Sequence, residues 1–405
     1  MEKNSSVKPD TMRNILTLRY DPTQTPLLPK KNWQDFISKP VSASEEFIEK
    51  LIEKNIKNKI ANSSEKKIAL ALSGGIDSTL ILAILKKTFP NVSIEAISIK
   101  FANSIDETTN AAKIANFFGA NHHIVFLENY LSELPKAISI IGLPFWDLHW
   151  YYVVKKAQPI SKFIASGDGG DELFGGYTFR YKKFLELTNE NSTPLEKVEA
   201  YLQCHERDWV ADHEKLFTRK INFSWNLIHD ILTPYFENSL NSLSQVFLAD
   251  YNGKLLYNFS IVNTRLANHF GLVSISPLLS EEMISFATHL PCDSKYDQKN
   301  NIGKLPLRNI LSKYKADSLI TEEKLGFNVN TLNLWKFYGK ELCKQYLLDS
   351  NIVKDNWINK DWIEKYIDKE DLDVKIINKF LGLLALEIWY RLFITKEINS
   401  DTKLD

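Results

Sequence analysis

The sequence predicts an α/β protein, a doubly wound parallel sheet followed by a C-terminal part that is mostly α-helical. Three observations carry that reading. Ile68–Leu72 is a short unbroken apolar run of the kind found in strands buried on both faces. From there to Ser166 apolar runs alternate with segments of helical period, the rhythm of strand–helix repeats. Beyond about Tyr177 the rhythm gives way to long amphipathic segments without convincing strands. At 405 residues the chain exceeds the usual size of a single core, so two domains are expected.

Residues 1–43 read as an N-terminal extended arm, because Pro22, Pro26, Pro29 and Pro40 interrupt any regular pattern. A capped amphipathic helix follows, starting at Ser42 or Ser44, with Phe47, Leu51, Ile52 and Ile56 on one face. Strands are expected at Ile68–Leu72, Val92–Phe101, His122–Leu127 and Lys162–Ser166. Helices are expected at Ser78–Lys87, Asp106–Phe118, Tyr130–Ile141 and His149–Ala157. These elements make residues 44–180 one α/β unit. Residues 181–405 form the helical part, with Pro194–Glu206, Trp225–Leu232 and Lys379–Ile394 as its clearest helices.

Composition excludes several classes. Lys plus Arg and Asp plus Glu number 50 each, so the net charge is zero and no nucleic-acid partner is implied. The three cysteines, Cys204, Cys292 and Cys343, lie far apart with no Cys-x-x-Cys pair, and read as ordinary core or surface thiols. Met1–Asp10 is polar, and no run approaches the ~18 apolar residues of a membrane span. A cytoplasmic, reducing location with no membrane partner is the expectation.

Two loops carry the chemistry. Ser73-Gly74-Gly75-Ile76-Asp77-Ser78-Thr79 lies between a buried strand and a helix. There glycine backbone can aim N–H groups at an anion, hydroxyls add donors, and the helix adds its positive end. This is a pyrophosphate cradle without the lysine of a Walker A loop. A carboxylate inside such a loop repels phosphate unless a divalent cation bridges them, so Asp77 predicts Mg²⁺. The bland alternative is a Gly-Gly turn that merely caps a helix.

The second loop, Ser166-Gly-Asp-Gly-Gly-Asp-Glu-Leu-Phe-Gly-Gly-Tyr177, also follows an apolar strand. In a parallel sheet it lies at the same C-terminal edge as the first, so the two loops face one pocket. Gly167, Gly169 and Gly170 permit close approach to a ligand, and Asp171 is placed to share the metal with Asp77. Alone, the pattern equally fits a glycine turn with solvated acids.

SGGIDST followed by SGDGGDELFGGY resembles the synthetase domain of the asparagine synthetase family, which includes the β-lactam and carbapenam synthetases. The resemblance spans roughly Ser44–Lys396 and is supported by Lys304-Leu-Pro-Leu-Arg-Asn-Ile310, by Glu323-Lys324-Leu-Gly326-Phe327 and by the closing Leu383–Phe393 segment. It implies a sheet of the adenine nucleotide α-hydrolase type and an ATP-dependent, AMP-forming ligation of ammonia to a carboxylate, aspartate in the first instance. Ser73, Gly74, Gly75, Asp77, Ser78 and Thr79 would hold pyrophosphate, and Asp77 and Asp171 the Mg²⁺. Leu72, Ile99, Ser166 and Gly167 would line the nucleotide pocket. Lys324 would stabilise charge on the α-phosphate, and Asp168 would face the reacting centre. Lys304 and Arg308 are either further phosphate contacts or a solvated helix face. His122 and His123 read as structural, and the aromatic residues of Trp146–Tyr152 as core.

Two departures from the family matter. Glutamine-using members carry an N-terminal glutaminase domain with a terminal cysteine nucleophile, whereas position 2 here is Glu2 and no cysteine precedes Cys204. Nitrogen is therefore expected as free ammonia or from a separate glutaminase subunit; a homodimer is the other partnership considered. Where the family reads Glu-x-Arg-x-Pro-Phe-Leu-Asp, this chain has Val273-Ser-Ile275-Ser-Pro277-Leu-Leu-Ser280, an acid–base pair replaced by apolar residues. That change leaves the identity of the carboxylate open, with an amide- or lactam-forming ligase of another substrate as the alternative.

Overall fold

Five parallel strands, β1 (Lys67–Ala71), β2 (Ser93–Phe101), β3 (Asn121–Leu127), β4 (Phe163–Ala165) and β5 (Val273–Ile275), form one sheet in the order β3-β2-β1-β4-β5. The computed structural model describes residues 7–39, 45–61, 63–102, 104, 106–205, 210, 212–320 and 330–405. Successive side chains of a strand point to opposite faces, and here both faces are covered. Ile68, Leu70 and Leu72 join one core with α2 (Glu45–Ile60), α3 (Ile76–Thr88) and α4 (Thr108–Phe117). Ala69, Ala71, Ile97 and Ile99 join the other core with α5 (Leu134–Ile141), α6 (His149–Ala157) and the helices Ser260–His269 and Val374–Phe393. The doubly wound parallel sheet expected of the sequence is present.

Topology fixes where a ligand can lie. β1 pairs with β2 on one side and β4 on the other, so the chain leaves the two central strands in opposite directions. The loops that follow β1 and β4 border the crevice at this switch point, the usual ligand position in open α/β sheets.

The strand β5 corrects the expectation that no strand follows Tyr177. Val273–Ile275 pairs with Phe163–Ala165 in parallel register, and the two-residue strands Tyr296–Asp297 and Ile302–Gly303 pair antiparallel as a small hairpin. A strand of three residues carries too little period to be distinguished from a loop in sequence. The N-terminal segment is corrected as well. Pro9–Leu18 is helix α1 with Met12–Leu18 buried, because Pro9 stands in the first turn, where a missing N–H costs nothing, and the next proline is Pro22. In α2, Ile48 takes the buried position expected of Phe47, which is 46% exposed and packs on Phe286. The capping serines Ser42 and Ser44 lie outside the described residues.

Helix α1 docks on the long helix Val374–Phe393, where Gly382 faces Leu16 and the buried Lys379 amine donates to the Leu16 carbonyl. His122 and His123 are structural, bonded to Ser98 Oγ (2.9 Å) and Glu95 Oε2 (2.6 Å) on the neighbouring strand. Trp146, Trp150, Tyr151 and Tyr152 are all buried. No described helix is long and apolar enough to cross a membrane.

Candidate active site

The first loop is set by the end of β1. Leu72 continues the strand, its N–H bonded to Ile97 O (2.9 Å) and its carbonyl accepting from Ser98 Oγ (2.6 Å). The chain then turns through Gly74 at φ 77 and enters α3 at Ile76. Gly75 is the N-cap and has no side chain to cap with, so no side-chain cap closes the first turn of α3. Such a helix start suits an anion. Ser73 and Ser78 hydroxyls stand 3.2 Å apart beside it, and Ser73 N–H donates to Ser78 Oγ at 3.2 Å.

The second loop is pressed directly against the first. A β-carbon added at Gly167 would fall 2.6 Å from Asp77 Cβ and 2.8 Å from Ser78 N, and one at Gly170 would fall 2.4 Å from Asp77 Cγ. Only glycine allows this approach. Gly170 opens the short helix α7 (Gly170–Phe174), whose first turn also carries Asp171. Ser166 is tied to β5 through its N–H to Ile275 O (3.0 Å) and lies 3.0 Å from Ser276 Oγ. Its hydroxyl and the Asn263 amide each donate to Asp168 Oδ2 at 2.8 Å. Burial pushes the Asp168 carboxyl up; those two bonds and His149 oppose it. Burial holds the His149 imidazole below its ordinary range, against the pull of Asp147 and Asp168.

One cation sits between the loops. Lys304 Nζ is 2.5 Å from Asp77 Oδ2 and 2.8 Å from Asp171 Oδ1. Lys304 is 8% exposed, which removes the solvated-face reading of this lysine. It precedes the helix Leu305–Lys313 in a left-handed conformation (φ 59), anchored by its N–H to Phe174 O (2.9 Å). Burial disfavours its charge, but Asp171 and Asp77 outweigh that and hold the ammonium above the usual lysine range. Arg308 instead turns back, its Nε donating to Gly303 O at 2.9 Å.

The structure therefore brings Ser73, Gly74, Gly75, Asp77, Ser78, Ser166, Gly167, Asp168 and Asp171 to one crevice. Thr79 and Leu72 are fully buried and Ile99 is 4% exposed, Thr79 in the first turn of α3 and the other two at the C-terminal ends of β1 and β2. Lys324, with Gly326 and Phe327, lies outside the described residues. Asn263, Ser276 and His149 belong to the site without having been singled out in sequence. Ser276 could have been found, since it stands inside the Val273–Ser280 stretch, whereas Asn263 and His149 occur in helices with no motif around them. Among the described residues no cluster of three or more His, Cys, Asp or Glu could hold a metal. Two converging carboxylates fit Mg²⁺ all the same, because it is commonly held by one or two carboxylates, with waters and phosphate oxygens completing its shell.

Residues 48–391 match the asparagine synthase family. Asparagine synthetase [glutamine-hydrolyzing] 1 of Bacillus subtilis is 25% identical over 88% of this chain and 61% of its own length. A putative asparagine synthetase [glutamine-hydrolyzing] 2 of Methanocaldococcus jannaschii is 33% identical over 29% of this chain and 24% of its own. The chain thus spans at most about three-fifths of either relative. Among solved structures, NMN synthetase from Francisella tularensis aligns with 50% of this chain and 91% of its own at 16% identity and a TM-score of 0.28.

Proposed function

The chain belongs to the asparagine synthase family, and on that premise we propose that it is an ATP-dependent, AMP-forming amide ligase. It activates a carboxylate, aspartate first among the candidates, as an acyl-adenylate and transfers ammonia to it. The observation that supports this reading most is the convergence of Asp77 and Asp171, from two different loops, on one cationic centre at the sheet's switch point.

In this reading the start of α3, with Ser73, Gly74, Gly75 and Ser78, receives the pyrophosphate that leaves as the substrate carboxylate attacks the α-phosphorus. Mg²⁺ between Asp77 and Asp171 would supply charge neutralisation on the phosphates. Lys324 neutralises the α-phosphate, and Lys304 is a second cation within reach of the leaving group. Asp168 then takes a proton from the attacking amine. Its carboxylate is aimed by Ser166 and Asn263, and its upward shift brings it nearer the range where a general base works. Ammonia arrives free or from a separate glutaminase subunit.

A second reading, a different carboxylate, is favoured by one observation. At the family's acid–base positions Ile275 is fully buried and Val273 is 43% exposed on β5, and neither offers a charge to a substrate. Pyrophosphate release with Mg-ATP, ammonium and a panel of carboxylates separates the two. Release with aspartate alone supports the first, release with another acid supports the second, and release with none removes the ligase reading.

A further inference from the structure

The cation between the two loops raises a question that the ligase reading leaves unanswered, namely how a metal reaches carboxylates that a lysine already occupies. We propose that Lys304 is a built-in counter-ion that closes the Asp77–Asp171 pair to free divalent cations, so that metal enters only together with a pyrophosphate-bearing ligand. The inference rests on the reading of Asp77 and Asp171 as metal carboxylates.

Geometry places the ammonium where the metal would be. Its nitrogen is within hydrogen-bond reach of both carboxylates, so the two oxygens lie no more than roughly 5 Å apart. A Mg²⁺ ion bound to both at its usual ~2 Å would overlap that nitrogen. The two cations exclude one another.

The surroundings are shaped to this arrangement. A β-carbon at Gly176 would lie 1.8 Å from Asp171 Oδ1 and 2.4 Å from Lys304 Cε, and one at Gly170 would meet the Asp77 carboxylate at 2.4 Å. The left-handed backbone of Lys304 is a conformation that strains a lysine and persists only where surroundings impose it. Its N–H to Phe174 O fixes the backbone, while four methylenes leave the amine free to swing.

Charge explains why the gate opens to one ligand class. With no phosphate present, a divalent ion must displace the ammonium from between the two carboxylates, and the displaced charge, tethered by its own chain, repels the ion in a site shielded from water. A pyrophosphate group at the start of α3 reverses the sign of that field and offers the ammonium new oxygens. Metal and pyrophosphate then bind with positive cooperativity, each raising the affinity of the other by the same factor.

Mn²⁺ binding to the full chain, read from the electron paramagnetic resonance signal of free Mn²⁺, tests this without turnover. The wild type is expected to take up one Mn²⁺ per chain with inorganic pyrophosphate and to bind it roughly 100-fold more weakly without. Lys304→Met should bind Mn²⁺ without pyrophosphate about as tightly as the wild type does with it, and adding Asp171→Asn should abolish that gain. Lys304→Gln serves if the methionine variant does not fold, and the wild-type comparison is decisive by itself. Equal Mn²⁺ affinity of the wild type with and without pyrophosphate overturns the gate while leaving the metal site intact. No Mn²⁺ uptake by any form, even with pyrophosphate, overturns the gate and the metal site together. Failure of every carboxylate to release pyrophosphate is a separate result that strikes the ligase reading alone.

Discussion

Gly170→Ala should silence the proposed ligase activity without unfolding the protein. The added methyl carbon would lie 2.4 Å from both Cγ and Oδ1 of Asp77, whereas carbon atoms settle at about 3.5 Å or more. The Asp77 carboxylate must retreat by about 1 Å, a displacement that can lower turnover about 100-fold, or about 2.7 kcal/mol of transition-state stabilisation. Stability changes far less. Alanine is favoured over glycine in a helix by about 1 kcal/mol, which offsets part of the roughly 1–3 kcal/mol that crowding costs. Gly271→Ala is the opposite control. Gly271 has φ 68, and an added β-carbon there meets nothing within 4 Å, so about 1–2 kcal/mol of stability is lost with full activity kept. Pyrophosphate release with Mg-ATP, ammonium and the accepted carboxylate measures turnover, and a thermal melt measures folding. A folded Gly170→Ala protein turning over at the wild-type rate would refute the argument that this glycine positions Asp77.

Asp168→Asn should slow amide formation by about 100-fold or more while ATP–pyrophosphate exchange persists, since the base acts after activation; equal loss of both would move Asp168 to the first step. Lys324→Ala should instead lower the exchange itself by about 100-fold, and unchanged exchange would release this lysine from the α-phosphate. Lys295, 1% exposed, is lowered by burial from 10.5 to about 8. Below pH 8 it is charged in both folded and unfolded chains and only the folded one suffers the burial, so Lys295→Met should raise the melting temperature at pH 7. The gain, on the order of 3 kcal/mol, should fade by pH 10–11. Glu107 is raised by burial from 4.5 to about 8. The folded chain then keeps a proton that the unfolded chain releases, so stability falls as pH climbs through that window, and Glu107→Gln should flatten the melting profile between pH 5 and 8.

The sheet and its two loops were legible because their signals are local. An apolar run, a glycine pair and a following helix occupy about twenty residues at each motif, and Asp77 and Asp171 could be paired from topology alone. Lys304 was named but remained ambiguous, because its meaning depends on a left-handed backbone and a contact across 227 positions. The three-residue β5 and the amide of Asn263 were silent for the same reason, as each acquires its role only from the partner it meets in space. Helix α1 was hidden by the prolines that follow it, which describe residues 22–40 and say nothing about Pro9–Leu18.

That helix has a consequence for how the protein comes into being. Its buried face rests on Val374–Phe393, in a core that also contains β1 side chains. The sheet, for its part, completes only when Val273–Ile275 reaches β4. During synthesis α1 waits with its apolar side bare until Val374–Phe393 follows, and the two glycine loops have no finished edge strand until Val273–Ile275 is made. Closing such distant pairings is slow and leaves surfaces open to aggregation. A fragment ending near residue 180 holds both motifs yet lacks β5 and Lys304, so the crevice between the two loops draws on residues far beyond the motifs themselves.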